Sequence, residues 1–189
     1  MRSYLKPSER IAKSRRRIRY CGTIDELISQ MGFARSICPD IEVRKRIKAL
    51  QLDLYSLGAV IAAPAGAKNL AAAISRGMMD ALEAEIHRIK GVPGVLRDGS
   101  LFWELPAAAA LDVARTIGRR AERVVGRLIG EGELSITFIA AYLNRLVELL
   151  WLLSRLLESR QGIDSWPQTQ QHGSGPLWSA VVIVPKVKG

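Results

Sequence analysis

The chain has 189 residues, 28 Lys and Arg against 18 Asp and Glu, a net charge of +10, 48% hydrophobic residues and 6% aromatic ones. That length suits one domain of roughly 100 to 200 residues, and an apolar share near one half excludes a wholly disordered or collagen-like chain. The two cysteines, Cys21 and Cys38, have no metal-ligand spacing and fit reduced thiols in a cytoplasmic protein.

Residues 1–20 form a basic segment. Arg2, Lys6, Arg10, Lys13, Arg15, Arg16, Arg17 and Arg19 face a single acid, Glu9, so most of the excess charge sits at the front of the chain. Such a concentration points to a polyanion: nucleic acid, a membrane surface or a phosphate-bearing ligand. No apolar run follows these residues, which excludes a secretory signal. The most apolar stretch, Leu146 to Leu157, contains Glu148 and Arg155 and falls short of the roughly 20 residues a membrane span needs.

Residues 21–160 read as a helical bundle. Thr23 followed by Glu26 fits a capping box, which predicts a helix through Leu27, Met31 and Ala34 to about Ile37, interrupted by Pro39. A second helix is predicted from about Ile41 to Ala62, with Ile47, Leu50, Leu54, Leu57 and Ile61 at three- and four-residue steps. A third spans about Ala67 to Lys90 and stops at Gly91 and Pro93. The loop after it, to Leu105, carries the aromatics Phe102 and Trp103. A fourth helix runs from near Pro106 to near Gly130, and a fifth from about Leu134 to Ser159. The fold class is therefore all-α, a five-helix bundle. From residue 161 to 189 the composition turns to Gly, Gln, Ser and Pro, that of a flexible tail, with Ala180 to Val184 the one strand-like run.

The fourth helix holds the most informative stretch, Val113-Ala-Arg-Thr-Ile-Gly-Arg-Arg-Ala-Glu-Arg123. Arg115, Arg119 and Glu122 fall within about 60° of one another on a helix, and Val113, Ile117, Val124 and Leu128 are expected on the core side. A charged strip of this kind is either a solvated face laced with i, i+3 pairs or a phosphate clamp, since guanidinium forks bind phosphate oxygens bidentately. On the fifth helix Asn144, Glu148, Trp151 and Arg155 are expected to face outward, opposite Leu143, Leu146, Leu150, Leu153 and Leu157. Burial against a neighbouring subunit would account for the tryptophan, as would simple packing.

Taken together, these segments resemble the PduO-type ATP:cob(I)alamin adenosyltransferases. Cys21-Gly-Thr-Ile-Asp-Glu-Leu27 is similar to the family's Tyr-Gly-Thr-Val-Asp-Glu-Leu. Val113-Ala-Arg115 with Arg119-Arg-Ala-Glu-Arg123 is similar to Val-Ala-Arg with Arg-Arg-Ala-Glu-Arg, and Asn144-Arg-Leu-Val-Glu148 to Asn-Arg-Leu-Ser-Asp. Gln51-Leu-Asp-Leu-Tyr-Ser-Leu-Gly-Ala59 also resembles the family's second helix. The resemblance implies a homotrimer that binds MgATP and cobalamin between subunits, with Lys13, Arg119, Arg120, Ala121, Glu122, Arg123 and Asn144 at the ATP. Arg119, Glu122 and Asn144 carry the catalytic expectation, Glu122 helping to hold Mg²⁺ on the triphosphate. By the same resemblance, Trp151 falls where the family places an aromatic near the corrin, Phe102 or Trp103 falls where another covers its lower face, and Asp25 and Arg115 would form an ion pair across the subunit interface.

The sequence also departs from that pattern. The family's Thr-Gly-Asp-x-Gly-x-Thr phosphate loop falls ahead of Ser3, Ala107 to Ala110 stand where the family has Gly-Gly, Asp112 replaces a His, and Glu148 replaces Asp. Two readings stay open: an adenosyltransferase in which groups such as Arg15 to Arg17 serve the triphosphate or the loop lies upstream, and a non-catalytic member that binds ATP, corrinoid or a protein. Nucleic acid is the weaker partner, because Tyr20 is the lone aromatic near the basic run and offers no stacking platform.

Overall fold

The computed structural model describes residues 15–62, 76–96, 105–130 and 138–163. Within them five helices follow one another: α1 (Arg15–Ile37), α2 (Ile41–Ala62), α3 (Arg76–Lys90), α4 (Pro106–Gly130) and α5 (Phe138–Arg160). There is no strand among the described residues, and the all-α, five-helix expectation holds. None of these helices is long and apolar enough to cross a membrane. The expected first turns of α3 and α5, at 67–75 and 134–137, lie outside the described residues, as does the strand-like run Ala180 to Val184.

The capping-box expectation at Thr23 is corrected. α1 begins at Arg15, eight residues earlier, and Thr23 is a buried mid-helix residue. Tyr20 is the physical reason: its side chain is wholly buried in the core, which seats the turn before Thr23 on the bundle. Burial of an aromatic outweighs a cap worth about 1 kcal/mol. The true cap is Asp40, whose Oδ1 accepts the Val43 N–H at 3.0 Å and starts α2.

α4 packs against α1 on one side and α5 on the other. Its buried line is Ala107, Leu111, Ala114, Gly118, Ala121, Val125 and Leu128, at alternating steps of four and three. Ile117 and Leu128 are buried as expected, but Val113 is 48% exposed and Val124 only partly buried. Small residues displace the valines from the core because the backbones run so close. A Cβ on Gly118 would stand 2.8 Å from Val147 Cγ2 of α5.

α5 is the central helix. Leu143, Leu146, Leu150, Leu153 and Leu157 are buried, and so are Leu149, Leu152 and Leu156 on what should have been flanks. The outward expectation for Arg155 is therefore corrected: it is 2% exposed and its Nη1 donates to the buried Glu158 carboxylate at 2.5 Å. A buried guanidinium is tolerable because a carboxylate on the next turn is buried with it. α5 ends in a left-handed Gly162, with Gly162 N–H bonded to Ser159 O and Ile163 N–H to Glu158 O, which closes the last carbonyls. Neither cysteine is in a disulfide; Cys38 is buried and Cys21 partly so.

Candidate functional site

Glu122 is where α4 and α5 meet chemically. Its Oε2 accepts from Arg119 Nη1 at 2.9 Å, one turn away on α4, and its Oε1 accepts from Asn144 Nδ2 at 2.8 Å on α5. The close backbone approach at Gly118, one turn earlier, is what lets a short amide on α5 reach a carboxylate on α4. Three of the residues singled out from the sequence thus share one cluster.

The other members of the Arg119 to Arg123 run point in different directions, as helical spacing requires. Arg120 turns toward α1 and its Nη2 donates to Glu26 Oε1 at 2.7 Å. Ala121 is fully buried and serves the helix packing, and Arg123 is exposed with no ion pair among the described residues. Glu26 was not foreseen as a site neighbour. Its only signal was its position beside Asp25 in a matched motif.

Arg115 lies one turn before Arg119. Its Nε and Nη2 donate to Asp112 at 2.6 and 3.3 Å, so within one chain its partner is its own helix, while Asp25 is exposed on α1. Asp112 is 8% exposed, and the guanidinium fork supplies the charge that its burial demands.

On the α5 face that follows Asn144, Glu148 accepts from Arg145 Nη1 at 2.6 Å and from Lys90 Nζ at 2.5 Å. Arg145 also grips Glu83 with Nε and Nη2, at 2.5 and 2.6 Å. Glu83, Arg145, Glu148 and Lys90 thereby tie the last turns of α3 to this face. The Arg145 bonds hold the Glu83 carboxyl below the usual range and raise the Arg145 guanidinium. Sequence reasoning missed Glu83 and Lys90, since nothing local links residues so far apart in the chain. Trp151, one turn beyond Glu148, is partly buried against the core. Lys13, Phe102 and Trp103 lie outside the described residues.

The cluster offers guanidinium and amide donors around one carboxylate, a set suited to binding anionic oxygens. Among the described residues no group of three or more His, Cys, Asp or Glu side chains is placed to hold a metal ion.

Comparison with known proteins identifies the family. The cobalamin adenosyltransferase family model matches residues 2–157. A corrinoid adenosyltransferase of Citrobacter freundii is 36% identical over 154 residues, which cover 79% of this chain and 85% of that one. One from Mycobacterium tuberculosis strain H37Rv is 30% identical over 156 residues, covering 80% and 81%. Among solved structures, a variant PduO-type adenosyltransferase from Lactobacillus reuteri complexed with ATP superposes with a TM-score of 0.66 at 26% identity, over 79% of this chain and 85% of that one. Another variant from the same organism, complexed with cobalamin and ATP, gives 0.64 at 28% identity, over 78% and 84%. Extent, identity and fold all agree, and this chain belongs to the cobalamin adenosyltransferase family.

Proposed function

We propose that the protein moves the 5′-deoxyadenosyl group of ATP to cob(I)alamin and releases triphosphate. The observation that carries this is the meeting of Arg119, Glu122 and Asn144 across α4 and α5 in a chain of this family. In such a reaction the reduced cobalt is the nucleophile and attacks the ribose 5′ carbon, so the corrinoid carries the difficult chemistry. No protein base is needed. The chain's own work is to hold the adenosyl carbon in line and to neutralise charge on the departing triphosphate.

Arg119 and Asn144 supply N–H donors to phosphate oxygens, and Lys13, Arg120 and Arg123 add positive charge around them. Ala121 lets α4 sit close to its neighbours. Mg²⁺ fits as an ion carried on the triphosphate and touched by Glu122, because Mg²⁺ commonly takes one or two carboxylates with the remaining positions filled by phosphate and water. Trp151, with Phe102 and Trp103, would line the corrin side and keep water away. The protein acts as a homotrimer, with Asp25 and Arg115 paired between copies. It works in the cytoplasm, a reading supported by two cysteines that form no disulfide.

An anaerobic assay with reduced cobalamin and MgATP tests the reading. Adenosylcobalamin and inorganic triphosphate should form in equal amounts. ATP binding with no adenosylcobalamin would instead establish the non-catalytic member of the family.

A further inference from the structure

α2 carries apolar residues on two opposite sides. Val43, Ile47, Leu50, Leu54 and Leu57 are buried in the core. Directly opposite, Ile41, Lys45, Lys48, Leu52, Tyr55 and Ala59 follow one another at steps of four, three, four, three and four, within about 80° of arc. All six are exposed, and Ile41, Leu52 and Tyr55, at 66, 61 and 74%, are the most exposed large apolar side chains among the described residues. At a rise of roughly 1.5 Å per residue the strip is about 27 Å long.

The charges of α2 are sorted between the two sides. Arg160 bonds Glu42 and also Asp40 just before the helix, Asp53 accepts the Tyr142 O–H at 2.7 Å, and Arg46 donates to the Ala81 carbonyl of α3 at 2.8 Å. Arg44, Lys45 and Lys48 are left exposed, with no ion pair among the described residues. The outer strip is thus apolar and cationic and holds no acid. We propose that it is a docking surface for an acidic amphipathic helix of another protein, one with apolar residues at the same alternating steps and carboxylates opposite Lys45 and Lys48. Alternating three- and four-residue spacing is the seam along which two helices pack, and flanking carboxylates of one helix meet the lysines of the other there. A second copy of this chain fits less well, because a two-fold contact sets a patch against itself and brings Lys45 and Lys48 near cations of their own kind. A membrane would have to take up Ile41 and Leu52 at one depth with two ammoniums between them, on a ridge one helix wide whose other side is committed to the core. The strip also lies apart from the Arg119, Glu122 and Asn144 cluster, which joins α4 to α5, whereas α2 packs mainly on α1. Docking there is independent of adenosyl transfer.

The test is fluorescence anisotropy of a labelled synthetic helical peptide of about three heptads, with Leu at the two seam positions and Glu at the two flanking ones, titrated with the full chain. Its own like charges keep such a peptide from pairing with itself. The wild type should bind it, and a peptide of the same composition in scrambled order should bind at least about tenfold more weakly. Lys48→Glu and the double variant Leu52→Ser, Tyr55→Ser should each weaken binding at least about tenfold, whereas Arg127→Glu, an equal change of charge at an exposed position of α4, should leave it within about twofold. No binding by the wild type, equal binding of the scrambled peptide, or an equal loss in Arg127→Glu overturns the proposal. So does binding to vesicles of phosphatidylserine and phosphatidylcholine that is lost in the Leu52 and Tyr55 variant, which would assign the strip to a membrane. Self-association that Lys48→Glu or the Leu52 and Tyr55 variant abolishes in sedimentation would assign it to a second copy and overturns the proposal equally.

Discussion

Arg119 and Arg120 are adjacent in sequence and differently employed, which makes them separable by mutation. Arg119 shares Glu122 with Asn144, whereas Arg120 crosses to Glu26 on α1. Arg119→Ala removes a charged donor from the cluster, and such a bond contributes about 1.5 to 3 kcal/mol, so MgATP affinity should fall at least about tenfold by calorimetry. Unchanged affinity would remove Arg119 from the site. Arg119→Lys should recover only part of the loss, because an ammonium keeps the charge and lacks the planar fork. The legible part of this cluster was its i, i+3 geometry on one helix. Glu26, Glu83 and Lys90 were not legible, because each is brought in by a different helix and carries no local mark of the contact it makes.

The elements read out unevenly for reasons of the same kind. The bounds of α2 and α4 follow from Asp40, Pro64, Pro106 and Gly130, punctuators whose effect is local. The start of α1, the exposure of Val113 and the burial of Arg155 depend on which neighbour packs where. Gly118 shows this best: it reads as a weak helix former and is the point where α4 and α5 nearly touch. Gly118→Ala would gain about 1 kcal/mol of helix propensity but drive a Cβ to 2.8 Å from Val147, and overpacking of this sort costs about 1 to 3 kcal/mol. Val147 is buried and β-branched and has little room to yield, so the variant should be less stable, its Tm lowered by a few degrees in scanning calorimetry. Adding Val147→Ala should recover part of that loss. A Gly118→Ala protein as stable as the wild type would mean that the helices separate easily at this point.

The α2 and α5 ends are joined by charge. Arg160 donates to Asp40 and Glu42, at 2.5 and 2.9 Å. Burial alone would raise the Asp40 carboxyl, but the Val43 N–H and Arg160 outweigh it and the net shift is downward. A carboxyl whose folded value lies below its unfolded one adds stability above the ordinary carboxylate range, and that stability is lost as pH falls through the folded value. Arg160→Ala should therefore be less stable than the wild type at pH 7, with the gap closing as the solution is acidified below the ordinary carboxylate range. Denaturant unfolding at several pH values measures it. A constant gap at every pH would show that Arg160 contributes through packing alone.

At the scale of the whole molecule, the proposed assembly asks more of the surface than of the core. On α1 the line Asp25, Ser29, Phe33 and Ser36 is exposed, with Phe33 at 55%, and the neighbouring α4 exposes Val113 at 48% and presents Arg115 already oriented by Asp112. An exposed apolar ring, an exposed acid two turns away on the same helix and an oriented guanidinium are ingredients of a contact between copies, and three copies around one axis would close it. Sedimentation velocity at micromolar concentration should give three chains. Asp25→Arg places like charges at that contact and should disperse the trimer, while leaving the thermal unfolding of the dilute single chain unchanged, since Asp25 is exposed there. If ATP binds between copies, its affinity must fall together with the trimer fraction, both on dilution and in Asp25→Arg. A trimer that survives Asp25→Arg would remove the Asp25 and Arg115 pair. Full ATP affinity in a dispersed chain would place the nucleotide entirely within one bundle, on Arg119, Glu122 and Asn144 alone.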